Sequence, residues 1–221
     1  MDIKVLSYNF HRRYYFDIRE SLLNDLLNKY EFDILFAQEY LKSNSFDKLN
    51  ENYEKTETYM NPIFYRKDKF ELLSFFAAEH NKFVCAKLKH ADGQEFYVCN
   101  LHLNYGYYKI KETRRIKQLD GYLAMLNTYE ELPTIISGDF NCLPTDETLN
   151  LLSDYTNTYI SGNSLKEYTN NEYSTVCNNE IIDHTFVKGF DVIDYNIISD
   201  DYDGQLPSDH NPVYSRIRQN I

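Results

Sequence analysis

The sequence predicts an α+β protein in which two β-sheets are sandwiched between helices. Two observations predict it. About nine to twelve short apolar or alternating segments recur along the chain, while only two segments carry a long helical stripe. Hairpin signals also mix with strand–helix–strand spacing, which calls for antiparallel and parallel pairing in the same fold.

Taken in order, Ile3–Tyr8 alternates as a strand, and Asp17–Asn28 carries Ile18, Leu22, Leu23, Leu26 and Leu27 as a helical stripe. Phe32–Ala37 is a short apolar run typical of a buried strand. Ile63–Tyr65, Glu71–Phe76 and Phe83–Lys89 read as strands, and Asp92-Gly93 turns the chain into the returning strand Phe96–Leu103. Lys109–Asn127 is the second helix, with Ile116, Leu119, Leu123 and Leu126 on one side. Pro133–Ser137 is a very apolar strand, and Thr145-Asp146 starts a short helix through Leu152. Ile181–Val187, Val192–Ile198 and Pro212–Ile217 are the last strands, whereas the polar, Tyr- and Asn-rich stretch Thr156–Cys177 gives no assignment. With only 7 Gly and 5 Pro, and no repeat or linker, the 221 residues are expected to form one domain, 1–221.

Composition narrows the function. A net charge of −11 excludes a generic positive coat for nucleic acid, so a polyanion would need a local basic patch or metal ions. Cys85, Cys99, Cys142 and Cys177 show neither a CxxC pair nor zinc-ligand spacing and read as reduced packing residues. No apolar run is long enough to span a membrane, and the N-terminus opens directly on a strand, which leads to the expectation of a cytoplasmic location. The 21 Tyr fit half-buried strand and interface positions.

Polar residues recur at the ends of apolar strands. They are Asn9, Gln38 with Glu39, Asn100 with His102, Asp139 with Asn141, Asp183 with His184, and Asp209 with His210. Each alone has a bland reading: a solvated loop glutamate, a self-satisfied Asp/Asn turn, a structural histidine. Six such elements at strand ends instead describe one site assembled from distant sequence. Glu39, Asp139 and Asp209 supply the oxygens that a hard cation prefers, and Asn9 and Asn141 add neutral amides. His102 and His210 can transfer protons near neutrality, and Asp183 can fix a histidine tautomer. Such a set suits in-line attack of water on phosphorus. Two basic patches, His11-Arg12-Arg13 and Tyr107–Gln118 with Arg114 and Arg115, are expected at the rim as substrate-binding residues for an anion.

At this point the chain resembles the endonuclease/exonuclease/phosphatase superfamily, which shares the fold of deoxyribonuclease I. The matching stretches are LSYNF, FAQE, NLHL, SGDFN, IDH and PSDHNPV, and together they span almost the whole chain. The resemblance implies a four-layer αββα sandwich with two mixed, mostly antiparallel sheets face to face and helices on both outer faces. It implies a phosphoesterase using Mg2+ or Mn2+, with Asn9, Glu39 and Asp209 at the metal. It also implies that Asp139 and Asn141 orient water and phosphate, that Asp183 orients His210, and that His102 is a further catalytic residue. His102 stands where the abasic-site nuclease branch has tyrosine, which argues against that branch. Two departures concern substrate choice: Glu180-Ile181-Ile182 replaces an arginine found in many relatives, and tryptophan is absent.

The sequence therefore predicts a divalent-metal-dependent hydrolase of phosphodiesters, acting first on DNA or RNA and expected to be a monomer. The alternatives are a phosphatase or phosphodiesterase for a small phosphorylated metabolite or phospholipid head group, and a non-catalytic binding protein that kept the fold.

Overall fold

The computed structural model describes residues 1–11, 16–40, 46–106, 109–165, 180–199 and 207–220. Twelve strands form two six-stranded sheets among these residues. The first sheet holds β1 (Asp2–Asn9), β2 (Ile34–Gln38), β3 (Tyr53–Lys55), β4 (Ile63–Arg66), β11 (Phe190–Ile197) and β12 (Val213–Gln219), in the order β11-β12-β1-β2-β4-β3. The second holds β5 (Phe70–Ala78), β6 (Phe83–His90), β7 (Glu95–His102), β8 (Thr134–Asp139), β9 (Thr156–Asn157) and β10 (Asp183–Lys188), in the order β5-β6-β7-β8-β10-β9.

The sheets share one pattern. Each has a single parallel pair at its centre, β1 with β2 and β7 with β8, and every other pairing is antiparallel. Parallel strands need a crossover, and α1 (Phe16–Lys29) and α3 (Lys109–Leu126) supply the two. The remaining helices are α2 (Asp47–Asn52), a 3-10 turn (Glu147–Leu152) and α4 (Thr158–Leu165).

Three apolar clusters separate four layers. Ile3, Val5, Ile34 and Phe36 of the first sheet meet Val84, Ala86, Phe96, Val98 and Ile135 of the second between the sheets. On the outer face of the first sheet, Leu6, Tyr8 and Leu35 pack with Leu23, Leu26 and Leu27 of α1 and Leu49 of α2. On the outer face of the second, Cys99, Leu101 and Ile136 pack with Leu119, Tyr122 and Leu126 of α3. The period of two along a strand fixes which residues face the inner layer. It puts Ile3, Val5, Ser7 and Asn9 on one face of β1, and Phe96, Val98, Asn100 and His102 on one face of β7.

The elements depart from the expected ones in places. Strand β8 runs to Asp139 rather than Ser137, and β10 begins at Asp183 rather than Ile181, so both aspartates stand within strand pairing. The helix expected after Thr145 is a 3-10 turn. Helix α4 forms within the unassigned stretch, started by Asn157, whose Oδ1 accepts the Tyr159 N–H at 2.9 Å. Cys177 lies outside the described residues.

Candidate active site

The inner faces of the two parallel pairs end at the same edge of the sandwich. Register pairs Asn9 with Gln38 in one sheet and His102 with Asp139 in the other. A βαβ crossover aligns the carboxyl ends of its strands, and the residues there face one another across the cleft. Gly138 permits this approach on the second sheet: its φ is +146°, and a Cβ would stand 2.0 Å from the Leu101 carbonyl oxygen.

Asp139 is the hub. Its Oδ2 accepts a hydrogen bond from Asn9 Nδ2 at 3.1 Å and lies 3.5 Å from His102 Nε2 and 3.8 Å from His210 Nε2. Its Oδ1 accepts the backbone N–H of Asn141 at 2.9 Å, and Asn141, at a φ of +51°, turns its Nδ2 onto the Leu103 carbonyl. Burial, with the charge of Asp183 beside it, pushes the Asp139 carboxyl up to about 7.

Asp183 stands directly opposite Asp139 in the antiparallel register of β8 and β10. Its Oδ2 holds His210 Nδ1 at 2.8 Å. Burial disfavours the imidazolium, but the charge and hydrogen bond of Asp183, joined by Asp139 and Asp209, outweigh it and push His210 up to about 10. His102 is driven the other way, to about 4, by burial and by the positive neighbours His210 and Lys82. The site thus holds one charged and one neutral histidine around a single carboxylate.

Glu39 sits just past β2 at a φ of +50°, with its N–H on Asn61 Oδ1 at 3.3 Å. A buried amide network backs this turn. Gln38 Nε2 donates to Asn100 Oδ1 at 2.7 Å across the sheets, and Asn100 Nδ2 points at the carbonyls of Ala37, Asn61 and Pro62 within 3.1 Å. Asn61 was not signalled by any motif; it lies in the loop before β4 and joins the site only through this network.

Arg19, which no motif signalled, and His11 of the expected basic patch brace the rim. Arg19 of α1 donates to the carbonyls of Phe10, His11 and Pro207, tying the loop after β1 to the one before β12. His11, at a φ of +46°, places Nδ1 3.1 Å from Asp209 Oδ1. Asp209, expected as a metal ligand, is more exposed than Asp139 and Asp183 and lies 4.0 Å from His210 Nε2.

The basic rim is smaller than the sequence suggests. Arg115 is buried, and its guanidinium donates to the carbonyls of Asn104 and Gly106 and approaches Asp146 at 3.7 Å. It therefore anchors the loop after β7 rather than facing solvent, because that loop's carbonyls need donors. Arg114 is exposed on α3, and Arg12 and Arg13 lie outside the described residues.

The donor chemistry fits a hard divalent cation. Asp139, Asp183 and His210 offer ligand atoms all within 4.8 Å of one another. Glu39 adds a buried Oε2 with no hydrogen-bond partner among the described residues, which a cation would satisfy. Glu39 is thus a further candidate donor beside the Asp139, Asp183 and His210 group.

Comparison with protein-family models and with curated protein sequences gave no match. Solved structures do match. An endonuclease/exonuclease/phosphatase family protein from Bacteroides thetaiotaomicron is similar at 20% identity and a TM-score of 0.82, over 100% of this chain and 99% of that one. Humanized D. rerio TDP2 gives 18% identity and 0.78 over 99% of both chains. A B. thetaiotaomicron mannosyl-6-phosphatase gives 21% identity and 0.75, over 99% of this chain and 100% of that one. With two mixed sheets between helices and the strand-end residues gathered at one edge, the chain has the fold of the endonuclease/exonuclease/phosphatase superfamily, the deoxyribonuclease I-like fold that its motifs resemble.

Proposed function

We propose that this chain is a divalent-metal-dependent phosphoesterase, a single catalytic unit over 1–221, that hydrolyses phosphodiester bonds by in-line attack of water. The observation that carries the reading is the buried Asp139 carboxylate between a charged His210 and a neutral His102, with Asp183 behind His210. In that setting Asp139 is a base of near-neutral strength that can take a proton from water. His210, held protonated by Asp183, places positive charge where a pentacovalent phosphoryl group accumulates negative charge. His102, kept neutral, can donate a hydrogen bond to a phosphoryl oxygen without competing for the proton that Asp139 takes. Glu39, Asn9 and Asp209 would hold Mg2+ or Mn2+, which when bound supplies charge for the phosphoryl oxygens and the leaving oxyanion.

Nucleic acid is the first substrate class. One structural neighbour, D. rerio TDP2, was crystallised with a single strand DNA product. The burial of Arg115 favours a second reading, a small phosphate ester that needs little basic surface, and one neighbour is a mannosyl-6-phosphatase.

Nicking of supercoiled plasmid at low salt separates these readings. Nicking with Mg2+, abolished by EDTA and by Asp139→Ala, supports the nuclease. Turnover of small phosphate esters without nicking selects the second reading. A folded, metal-supplied protein that turns over neither overturns the phosphoesterase assignment.

A further inference from the structure

Resting on the phosphoesterase reading, we propose that Lys82, at the end of a strained turn between β5 and β6, is a substrate-binding residue that takes a non-bridging oxygen of the substrate's phosphate. The turn is unusual. Glu79, His80 and Asn81 have φ of +48°, +54° and +67°, three consecutive non-glycine residues in the left-handed region. Each such residue costs of order 1 kcal/mol or more and persists only where its surroundings hold it, often at functional sites.

The surroundings are hydrogen bonds to both halves of the site. On one side the Asn81 carbonyl accepts Asn61 Nδ2 at 2.7 Å, and Asn61 in turn holds the Glu39 N–H. On the other side the Lys82 carbonyl accepts the His102 N–H at 2.8 Å. The exposed Glu79 carboxylate accepts from Gln118 Nε2 and from the Tyr122 hydroxyl of α3. Gln118 Oε1 then accepts the Asn104 N–H at 3.0 Å, and Asn104 Oδ1 accepts Lys82 Nζ at 2.7 Å. The turn, α3 and the loop after β7 thus close a ring of contacts that fixes the Lys82 backbone against His102 and its ammonium on Asn104.

Charge singles Lys82 out. Arg19 and Arg115 both give their guanidinium groups to backbone carbonyls. Lys82 has a neutral side-chain partner and, among the described residues, no carboxylate ion pair. Its charge is felt by the neighbouring ring, helping to keep His102 neutral. An ammonium held by a neutral amide oxygen two residues past His102 suits a phosphate oxygen, which forms short charge-assisted bonds with lysine.

The test compares wild type, Lys82→Gln and Lys82→Arg in the Mg2+-supplied protein, with inorganic phosphate as the binding probe. Steady-state turnover is read on bis(p-nitrophenyl) phosphate, phosphate affinity from its competitive inhibition constant, and folding from the thermal midpoint. We expect Lys82→Gln to raise KM and the phosphate inhibition constant tenfold or more, with kcat changed less than threefold and the midpoint unmoved. Lys82→Arg should recover most of the affinity. Unchanged KM and phosphate inhibition in an active Lys82→Gln overturn the role of Lys82 and leave the phosphoesterase reading standing. A large fall in kcat at constant KM also overturns it. Absence of wild-type turnover of both bis(p-nitrophenyl) phosphate and supercoiled plasmid overturns the phosphoesterase reading itself, and this proposal with it.

Discussion

Asp139 and Asp183 stand directly opposite each other across β8 and β10, both buried, and the two carboxylates are kept apart in role by one histidine. Asp183 binds His210 Nδ1 at 2.8 Å, whereas Asp139 lies 3.8 Å from Nε2 of the same ring. The charge of Asp183 raises the affinity of Asp139 for protons, and the His210 imidazolium offsets part of that repulsion.

Replacing Asp183 with Asn keeps the shape but removes the charge that holds His210 protonated. Turnover of a phosphate ester should fall at least about a hundredfold, the lower range for loss of a proton-transfer or charge-stabilising arrangement. The alkaline limb of the pH–rate profile should also move to lower pH. A variant with wild-type turnover and an unmoved limb would remove Asp183 from the mechanism.

The metal-free protein should lose stability as pH rises. His210 is raised from 6.5 to about 10, and a raised group stabilises fully below its unfolded value and loses that contribution on the way to its folded one. Asp139, raised from 3.8 to about 7, works in the same direction at lower pH. Thermal midpoints in EDTA should therefore decline between about pH 6.5 and pH 10, whereas below that range the lowered His102, which gains stability as pH rises from about 4 to 6.5, opposes Asp139. A midpoint that climbs over the upper range contradicts the arrangement.

Mg2+ should raise the midpoint of the wild type by mass action, and Glu39→Gln should weaken that effect. The substitution removes the charge of the buried oxygen that has no hydrogen-bond partner among the described residues while keeping its size. An apparent metal affinity at least about tenfold weaker is expected, the lower range for a lost metal contact. Isothermal titration with Mn2+ gives the number directly, and equal affinities would move the metal away from Glu39.

Gly138→Ala should destabilise the fold by about 3 kcal/mol or more, because a Cβ cannot coexist with the Leu101 carbonyl 2.0 Å away. Urea unfolding measures it, and a loss below about 1 kcal/mol would show that β7 and β8 can part without consequence.

Much of this site was legible because strand-end residues announce themselves. Apolar runs stop at Asn9, Glu39, His102 and Asp139, and the period of two carries the polar residue to the inner face with the core residues before it. The amide network was not legible. Gln38 and Asn100 are 62 positions apart, and nothing local says that they meet across the sheets. Arg115 misled for a physical reason: its position in a run of Lys and Arg suggests solvent, yet the carbonyls of Asn104 and Gly106 draw it inward. Helix α2 and strand β3 are too short for a period to show.

The two sheets carry the same strand pattern, and each gives only half of the cleft. Asn9, Glu39 and His210 come with one, His102, Asp139 and Asp183 with the other. A chain that has folded only its first or only its second half holds loose acids and histidines but no reactive centre. Under the proposed function, activity would require both sheets closed on each other, so a partly unfolded copy would be inactive.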